Sequence, residues 1–574
     1  MKDQIILTFL RYLKPYTWKL VLTLGLISLA SFGTLASPYI LKVIIDDLFP
    51  AGDYEGLLNI LGVLIIVNVL RILIEIISDY LRDWIGGRVI LDIRKDLFSH
   101  VLRLPMSFFN TTQKGDIIQR LGHEVDIIER ALTSSAIRFV YNVLTILGLG
   151  VALSMLNFKL FLLSITVIPV IYLTIRFFQV RIQKAAEVLR EKEGSFIAFM
   201  LERLENIELV KGLNRQSYEV NNLTKRSYTI IGFSLKETLL ASGNAGIITF
   251  LISLAPIIVF SWGGKGVMTG AMSVGALVAF LQYLNRLFSP FRDLMRLYVE
   301  LVQAKSYMKR VFSYFSLPTV EPVKAMSGPL DLKEHILFNK VNFSYNGESL
   351  IRDFDFRFEK GKNYVLVGKS GAGKSTLMKL LGRYYTPTRG SIYLDEADIE
   401  SMDSFQIRST LYYTGQNHQF FNHSIVENIK YGNLDSSEKQ AKEASKLVGI
   451  DGDIMKLPHG YYTPMGDQGV RLSGGQKQLI AIARSLLTDR QVLIFDEATA
   501  ALDSLKEEKL WKAILNNYQE KTILAISHRL STILKFDTIL CLHDGKVVEW
   551  GSHDHLISNK NYYYELMKDQ LVYA

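Results

Sequence analysis

The 574-residue chain holds a single cysteine, Cys541. One thiol excludes a disulfide framework, and it excludes any zinc or iron–sulfur cluster built on the cysteines of one chain. Low-complexity tracts are missing as well, so disorder is not the organising theme. Charge is scarce: 21% of residues are charged against 49% hydrophobic, with a mean hydropathy of +0.18. That is too apolar for the three or four soluble domains that such a length suggests at roughly 150 residues each. Part of the chain must meet lipid. Lys and Arg number 65 against 56 Asp and Glu, a net charge of +9. By itself this balance fits nucleic acid, an anionic membrane surface or basic cytoplasmic loops equally.

Six apolar runs are long enough to cross about 30 Å of hydrocarbon, at 18–41, 57–77, 131–156, 160–178, 239–262 and 268–287. The first begins too deep for a cleavable signal, because 1–19 carries Asp3, Arg11, Lys14 and Lys19 on an amphipathic lead-in. The long connections 78–130 and 179–238 hold the cations, among them Arg82, Arg88, Arg94, Lys95, Arg103, Lys184, Arg190, Lys192, Lys225 and Arg226. The bias of Lys and Arg toward the cytoplasm predicts that both connections and both termini lie inside. Segments 87–103 and 186–213 keep apolar residues at helical spacing, which predicts membrane helices running on into the cytoplasm and back. A Pro-bearing stretch with Pro318, Pro322 and Pro329 reads as a linker. Short β-type runs alternating with polar helices follow it. The expected organisation is an all-helical membrane domain at 1–315, a linker at 316–334 and a soluble α/β ATPase domain at 335–574.

The run Tyr364-Val365-Leu366-Val367 leads into Gly368-Lys369-Ser370-Gly371-Ala372-Gly373-Lys374-Ser375, which matches G-x-x-x-x-G-K-[ST] between a strand and a helix. Glycines let successive N–H groups turn toward phosphate oxygens, and the following helix N-terminus adds partial positive charge. Lys374 then reaches the β and γ phosphates, and the Ser375 hydroxyl is a Mg²⁺ ligand. A second buried-strand run, Val492-Leu493-Ile494-Phe495-Asp496-Glu497, ends in paired carboxylates. Asp496 can hold Mg²⁺, while Glu497 is placed to polarise an attacking water.

Between these lies Leu472-Ser473-Gly474-Gly475-Gln476, and with it the chain resembles the ATP-binding cassette (ABC) superfamily, whose signature this motif is. The resemblance covers 338–565 and implies further roles. Tyr345 matches the aromatic that stacks on adenine. Gln416 matches the glutamine touching Mg²⁺ and the attacking water, and His528 the switch histidine on the γ phosphate. Ala501-Leu502-Asp503 matches the D-loop, with Ala500 where a serine is usual, and Pro464 stands where exporters commonly have Glu in the X-loop at 462–467. The expected catalytic residues are thus Glu497, His528 and Gln416. The expected nucleotide-binding set is Tyr345, the loop Gly368 to Ser375 with Thr376, Gln416, Ser473, Gly475 and Gln476. Ser375, Gln416 and Asp496 are the expected metal ligands, with ATP and Mg²⁺ as the bound species.

An ATPase domain after six spans resembles the half-size exporters of this superfamily, of multidrug, lipid A flippase or peptide type. The resemblance implies that Ser473 and Gly475 of one copy complete the phosphate cage of another, so two chains are required. A homodimer is expected, because the catalytic set is whole. The first coupling helix is expected near 110–116, after Leu104-Pro105-Met106-Ser107-Phe108-Phe109, and the second near 213–219. Polar residues inside spans are expensive, so Arg71, Glu75, Arg138, Asn142, Asn244, Gln282, Asn285, Arg286 and Arg292 should face protein or water. Arg71 and Glu75, four apart, can simply pair; in the functional alternative Arg71, Arg138 and Arg292 ring a cavity for an anionic group. Phe280, Tyr283 and Phe288 suit either core packing or an apolar cavity. The leading expectation is a bacterial plasma-membrane exporter of an amphipathic or hydrophobic compound, drug-like or peptide, without nucleic acid. A lipid A-type flippase is the alternative, and an ATP-gated channel or signalling module is the alternative of a different class.

Overall fold

The computed structural model describes residues 2–319, 330–345, 347–416, 418–465 and 472–571. Most of the expected linker, including Pro322 and Pro329, lies outside them, as do Gly466 and Asp467 of the expected X-loop. The chain divides into two units, one of residues 1–98 with 118–315 and the other of 99–117 with 316–574.

The first unit holds helices joined by short turns, with no strand among its described residues. Four helical stretches are long and apolar enough to cross a membrane: Leu7–Ala51, Tyr54–Val101, Lys114–Glu205 and Gln216–Met268. The third holds two of the expected spans, since the backbone leaves the helix at Asn157 (φ −165°, ψ 104°). The sixth expected span starts late. Residues 268–273 close the preceding helix and turn, with Gly270 at φ +71°, and the last helix is Val274–Phe315. Its polar Gln282, Asn285, Arg286 and Arg292 leave it outside the apolar set. Tyr54–Val101 has 48 residues, about 70 Å at 1.5 Å per residue, more than twice a hydrocarbon core. Ile65, Ile66, Leu70 and Leu73 on it are exposed, as a lipid-facing surface requires.

Helices Thr17–Val43, Ala136–Ile165 and Val274–Phe315 pack on one another. Leu149, Leu153, Phe280, Tyr283, Leu284 and Leu287 form much of their core. Hydroxyls stitch this core: Ser31 and Thr145 lie 2.9 Å apart, and the Tyr283 hydroxyl donates to the Leu35 carbonyl at 2.6 Å. Satisfying each buried hydroxyl avoids a desolvation cost of roughly 1–3 kcal/mol.

The second unit has ten strands among its described residues: β1 His335–Tyr345, β2 Glu348–Glu359, β3 Asn363–Val367, β4 Arg389–Leu394, β5 Ala397–Asp398, β6 Leu411–Thr414, β7 Val492–Asp496, β8 Thr522–Ile526, β9 Thr538–His543 and β10 Lys546–Gly551. One sheet is antiparallel, in the order β2-β1-β4-β5; the other runs β10-β9-β3-β8-β7-β6 and is parallel from β9 to β6. The parallel strands are buried on both faces, which explains their unbroken apolar sequence. Val365, Val367, Leu493 and Phe495 enter one core, and Tyr364, Leu366, Ile494 and Leu524 the other, with the period of two a strand imposes. Cys541 is a fully buried member of the first core, a small apolar side chain and no more. Residues 99–117 belong with this unit, although the sequence assigns them to the membrane domain.

Candidate functional site

The carboxyl ends of β3, β6, β7 and β8 deliver Gly368, Gln416, Glu497 and His528 to one edge of the parallel sheet. Ligands bind at this edge in open α/β sheets. After β3 the loop 368–373 turns into the helix Lys374–Leu381. Gly373 caps that helix at φ +94°, and a Cβ there would collide with the Ile351 side chain, so only glycine fits. The buried Lys374 ammonium folds over the loop, donating to the carbonyls of Gly368 (2.8 Å) and Lys369 (3.0 Å). Burial pulls its pKa below the usual lysine value, while Glu497 and Asp496 oppose that pull.

Asp496 is 2% exposed. Its Oδ1 accepts from Ser375 Oγ at 3.0 Å and its Oδ2 from the Tyr413 hydroxyl at 2.6 Å. Burial, then the Asp496 charge, raises the Tyr413 pKa far above the usual phenol value, so Tyr413 remains a donor. A hydroxyl and a carboxylate held 3.0 Å apart beside a phosphate-type loop are the hard oxygen donors that Mg²⁺ prefers; the residues fit that ion.

Glu497 is the next residue and has φ +50°. Such a left-handed conformation costs a non-glycine residue about 1–2 kcal/mol, and strain of this kind collects at functional sites. It turns the carboxylate between two expected partners. Gln416 Nε2 donates to Oε2 at 2.8 Å, and His528 Nε2 lies 3.3 Å from Oε1. Burial, followed by the Lys374 charge, lowers the His528 pKa, whereas Glu497 raises it.

Tyr345 stands at the end of β1, its ring edge-on to Phe343 (4.8 Å between centroids) and Tyr385 (5.3 Å). Tyr385 was not singled out by sequence. Its hydroxyl accepts from Asn110 Nδ2 at 2.7 Å. The helix bearing Asn110 is Met106–Thr111, so the expected 110–116 is not one helix: Thr112 is extended and a new helix begins at Lys114. The second expected coupling segment, 213–219, follows the helix Ile207–Gly212: Asn214 turns at φ +52° and the next helix begins at Gln216.

Ser473 caps the helix Gly474–Leu486 through a capping box: its hydroxyl accepts from Gln476 N (3.2 Å), and Gln476 Oε1 accepts from Ser473 N (3.0 Å). This leaves the N–H groups of Gly474 and Gly475 at the end of a 13-residue helix, where an anion is favoured. The D-loop lies against it, Ala501 N donating to Gln478 Oε1 at 2.8 Å. Pro464 sits in an isolated bridge with Ser424, flanked by Ile425 N to Thr463 O at 3.0 Å.

In the helical unit Arg71 lines a pocket distinct from those of Arg138 and Arg292. Arg71 is bound to Glu75 at 2.7 Å, as their spacing allows, and lines a pocket of about 310 Å³ with Arg286, Tyr141 and Asn142. Arg138 reaches Glu300 (3.5 Å) and lines a pocket of about 590 Å³ that shares Arg190, Arg296, Gln303 and Tyr307 with the cavity bordered by Arg292. Arg292 borders both a cavity of about 800 Å³ with Arg190, Arg296 and Asn244 and an apolar one of about 350 Å³. Phe280 and Tyr283 are core, and Phe288 lines the apolar pocket. Sequence named Arg286 only as one costly polar residue among several. The signal it missed is that Arg286 has no carboxylate partner among the described residues; its hydrogen bond goes to the Thr34 carbonyl.

Residues 20–291 match the ABC transporter transmembrane region, and residues 351–500 match the ABC transporter family. A Staphylococcus aureus protein provisionally named a multidrug export ATP-binding/permease protein is 31% identical, covering 98% of this chain and 99% of its own. The chain belongs to the ABC transporter family. A Bacillus subtilis relative with the same provisional name, YgaD, is 29% identical over 98% of each chain. Among solved structures, that of a bacterial Atm1-family ABC exporter with ATP bound matches with a TM-score of 0.84 and 26% identity, covering 96% of this chain and 98% of that one. The chain is therefore a half-size ABC exporter, a multi-pass membrane protein that binds and hydrolyses ATP through its α/β domain. Half-size chains of this architecture dimerise.

Proposed function

We propose that two copies of this chain form an exporter with two equivalent ATP sites, moving an amphipathic compound, drug-like or peptide, out of the bacterial cytoplasm. The observation that carries this is the linked set Gln416–Glu497–His528 beside Ser375–Asp496 in one chain that also bears an intact signature helix. A chain with a degenerate site would need a different partner, and this one does not. In this reading both termini face the cytoplasm and Tyr345 stacks on adenine.

The P-loop N–H groups and Lys374 hold the phosphates, and Ser473 with the Gly475 N–H of the second copy closes the cage. Ser375 and Asp496, with Gln416 beside them, would hold Mg²⁺, which when bound would supply positive charge toward the phosphates. Glu497 accepts the proton of the attacking water, with its carboxylate fixed by Gln416 and His528. Two ATP draw the soluble domains together, and long helices convert that closure into an outward-facing cavity. The test is ATP-dependent accumulation of a cationic fluorescent dye in inverted vesicles, native chain against Glu497→Gln. Flux that is merely switched on by ATP and never runs against a gradient would replace the pump with a gated channel.

A second reading, transport of an anionic lipid, is favoured by Arg286. An arginine within a span and without a carboxylate partner is costly unless something anionic meets it. Arg286→Ala would then abolish lipid transport and spare the dye.

A further inference from the structure

The Mg²⁺ carboxylate of this chain is oriented by a residue that neither the motifs nor the expected ligand set includes. We infer that Tyr413 is a positioning residue for metal binding: by occupying Asp496 Oδ2 it leaves Oδ1, the oxygen already facing the Ser375 hydroxyl, to the metal. The inference rests on the reading of Asp496 as the metal-holding carboxylate.

The geometry comes from the sheet. β6 and β7 run parallel with Tyr413 opposite Ile494, so the β6 strand end lies beside the β7 end that carries Asp496. From there the phenol reaches Asp496 Oδ2 at 2.6 Å, a short bond typical of a hydroxyl on a carboxylate. The ring is fixed on two sides. A Cβ at position 415 would come within 3.1 Å of Tyr413 Cε1, so Gly415 makes room for the ring to fold back over the chain. Tyr384 packs on the ring at a centroid distance of 6.0 Å. Asp496, almost fully buried, can accept from these two hydroxyls in only one rotation of its carboxylate. Removing the phenol hydroxyl frees that rotation and strips Oδ2 of its donor while leaving the aromatic packing in place.

Partners of this kind typically set metal affinity by 10–100-fold. The experiment uses the purified full-length chain in lipid nanodiscs, with a fluorescent ATP analogue bound at varied free Mg²⁺, and Mn²⁺ in place of Mg²⁺ for paramagnetic resonance. Tyr413→Phe should raise the half-saturating Mg²⁺ about tenfold, leave metal-free nucleotide binding unchanged, and weaken Mn²⁺ binding in parallel. Gly415→Ala, whose Cβ would crowd the ring at 3.1 Å, should shift the metal requirement in the same direction by a smaller factor. An unchanged Mg²⁺ midpoint and Mn²⁺ affinity in Tyr413→Phe would overturn the inference. Asp496→Asn separates the two levels: if it removes the Mg²⁺ dependence while Tyr413→Phe has no effect, only the role of Tyr413 fails. If Asp496→Asn also leaves the dependence intact, the metal assignment itself fails with it.

Discussion

Glu507 is 1% exposed and lies in the first turn of the helix Ser504–Asn517. It accepts from Thr499 Oγ1 (2.6 Å), Thr532 Oγ1 (2.7 Å) and the Arg529 guanidinium (2.6 Å). Arg529 in turn donates to the carbonyls of Leu502 and Ala500, each at 2.7 Å. One buried carboxylate therefore ties the D-loop to the segment that follows His528. Glu507→Gln keeps the shape and one acceptor oxygen but turns the other into a donor and, in either orientation of the amide, removes the charge that balances Arg529. Breaking a buried ion pair from one side costs about 3–5 kcal/mol. Because the Arg529 side chain remains 37% exposed and keeps its two carbonyls, the lower end of about 3 kcal/mol applies.

For a domain of 150–250 residues each kcal/mol moves the unfolding midpoint by about 2–4 °C, so a fall of roughly 6–12 °C is expected in the soluble-domain transition. Differential scanning calorimetry of the full chain measures it. The adjacent Glu508, which is exposed and bonded to Lys535 at 2.9 Å, supplies the control. Exposed ion pairs contribute little, so Glu508→Gln should leave the transition in place. A Glu507→Gln shift no larger than that of Glu508→Gln would refute the buried-tether argument. ATP hydrolysis at temperatures where the variant is folded should also fall, since Arg529, no longer held by the carboxylate, fixes the Ala500 and Leu502 carbonyls less firmly.

Glu497→Gln should cut turnover at least a hundredfold, within the range of a lost general base, while ATP still binds; near-native hydrolysis by phosphate release would remove Glu497 from its role. Tyr345→Ala should weaken ATP binding several-fold in a fluorescent-nucleotide titration, by loss of an aromatic contact of about 1 kcal/mol, and an unchanged affinity would take adenine elsewhere. Asn110→Ala deletes a hydrogen bond of about 1 kcal/mol to Tyr385, so basal ATPase should persist while transported substrate per ATP falls. An unaltered transport-to-hydrolysis ratio would show that this contact carries no coupling.

The parts legible in the sequence are those fixed by neighbours along the chain. The strand–loop–helix around 368–375, the strand ending at Asp496 and the Ser473 capping box each follow from a few consecutive residues, and Arg71–Glu75 follows from a spacing of four. Even at this range the edges slipped: 268–273 continues an apolar run yet turns, because Gly270 takes a left-handed conformation.

Contacts across the fold were hidden for a different reason. Tyr413 meets Asp496 from 83 residues away, Arg138 meets Glu300 from 162, and Asn110 meets Tyr385 from 275. None of these residues has a local pattern announcing its partner, since a tyrosine at a strand end or an asparagine in a short helix has many ordinary uses. The partner is chosen by strand order and helix packing, which place β6 beside β7 and not beside β3. The arginines show how little residue type alone says about partners. Charge groups Arg71, Arg138 and Arg292 together, yet two of the three have a carboxylate of their own. Arg71 and Arg138 pair with Glu75 and Glu300, whereas Arg292 and Arg286 have no carboxylate partner among the described residues, and the Arg286 hydrogen bond goes to a carbonyl.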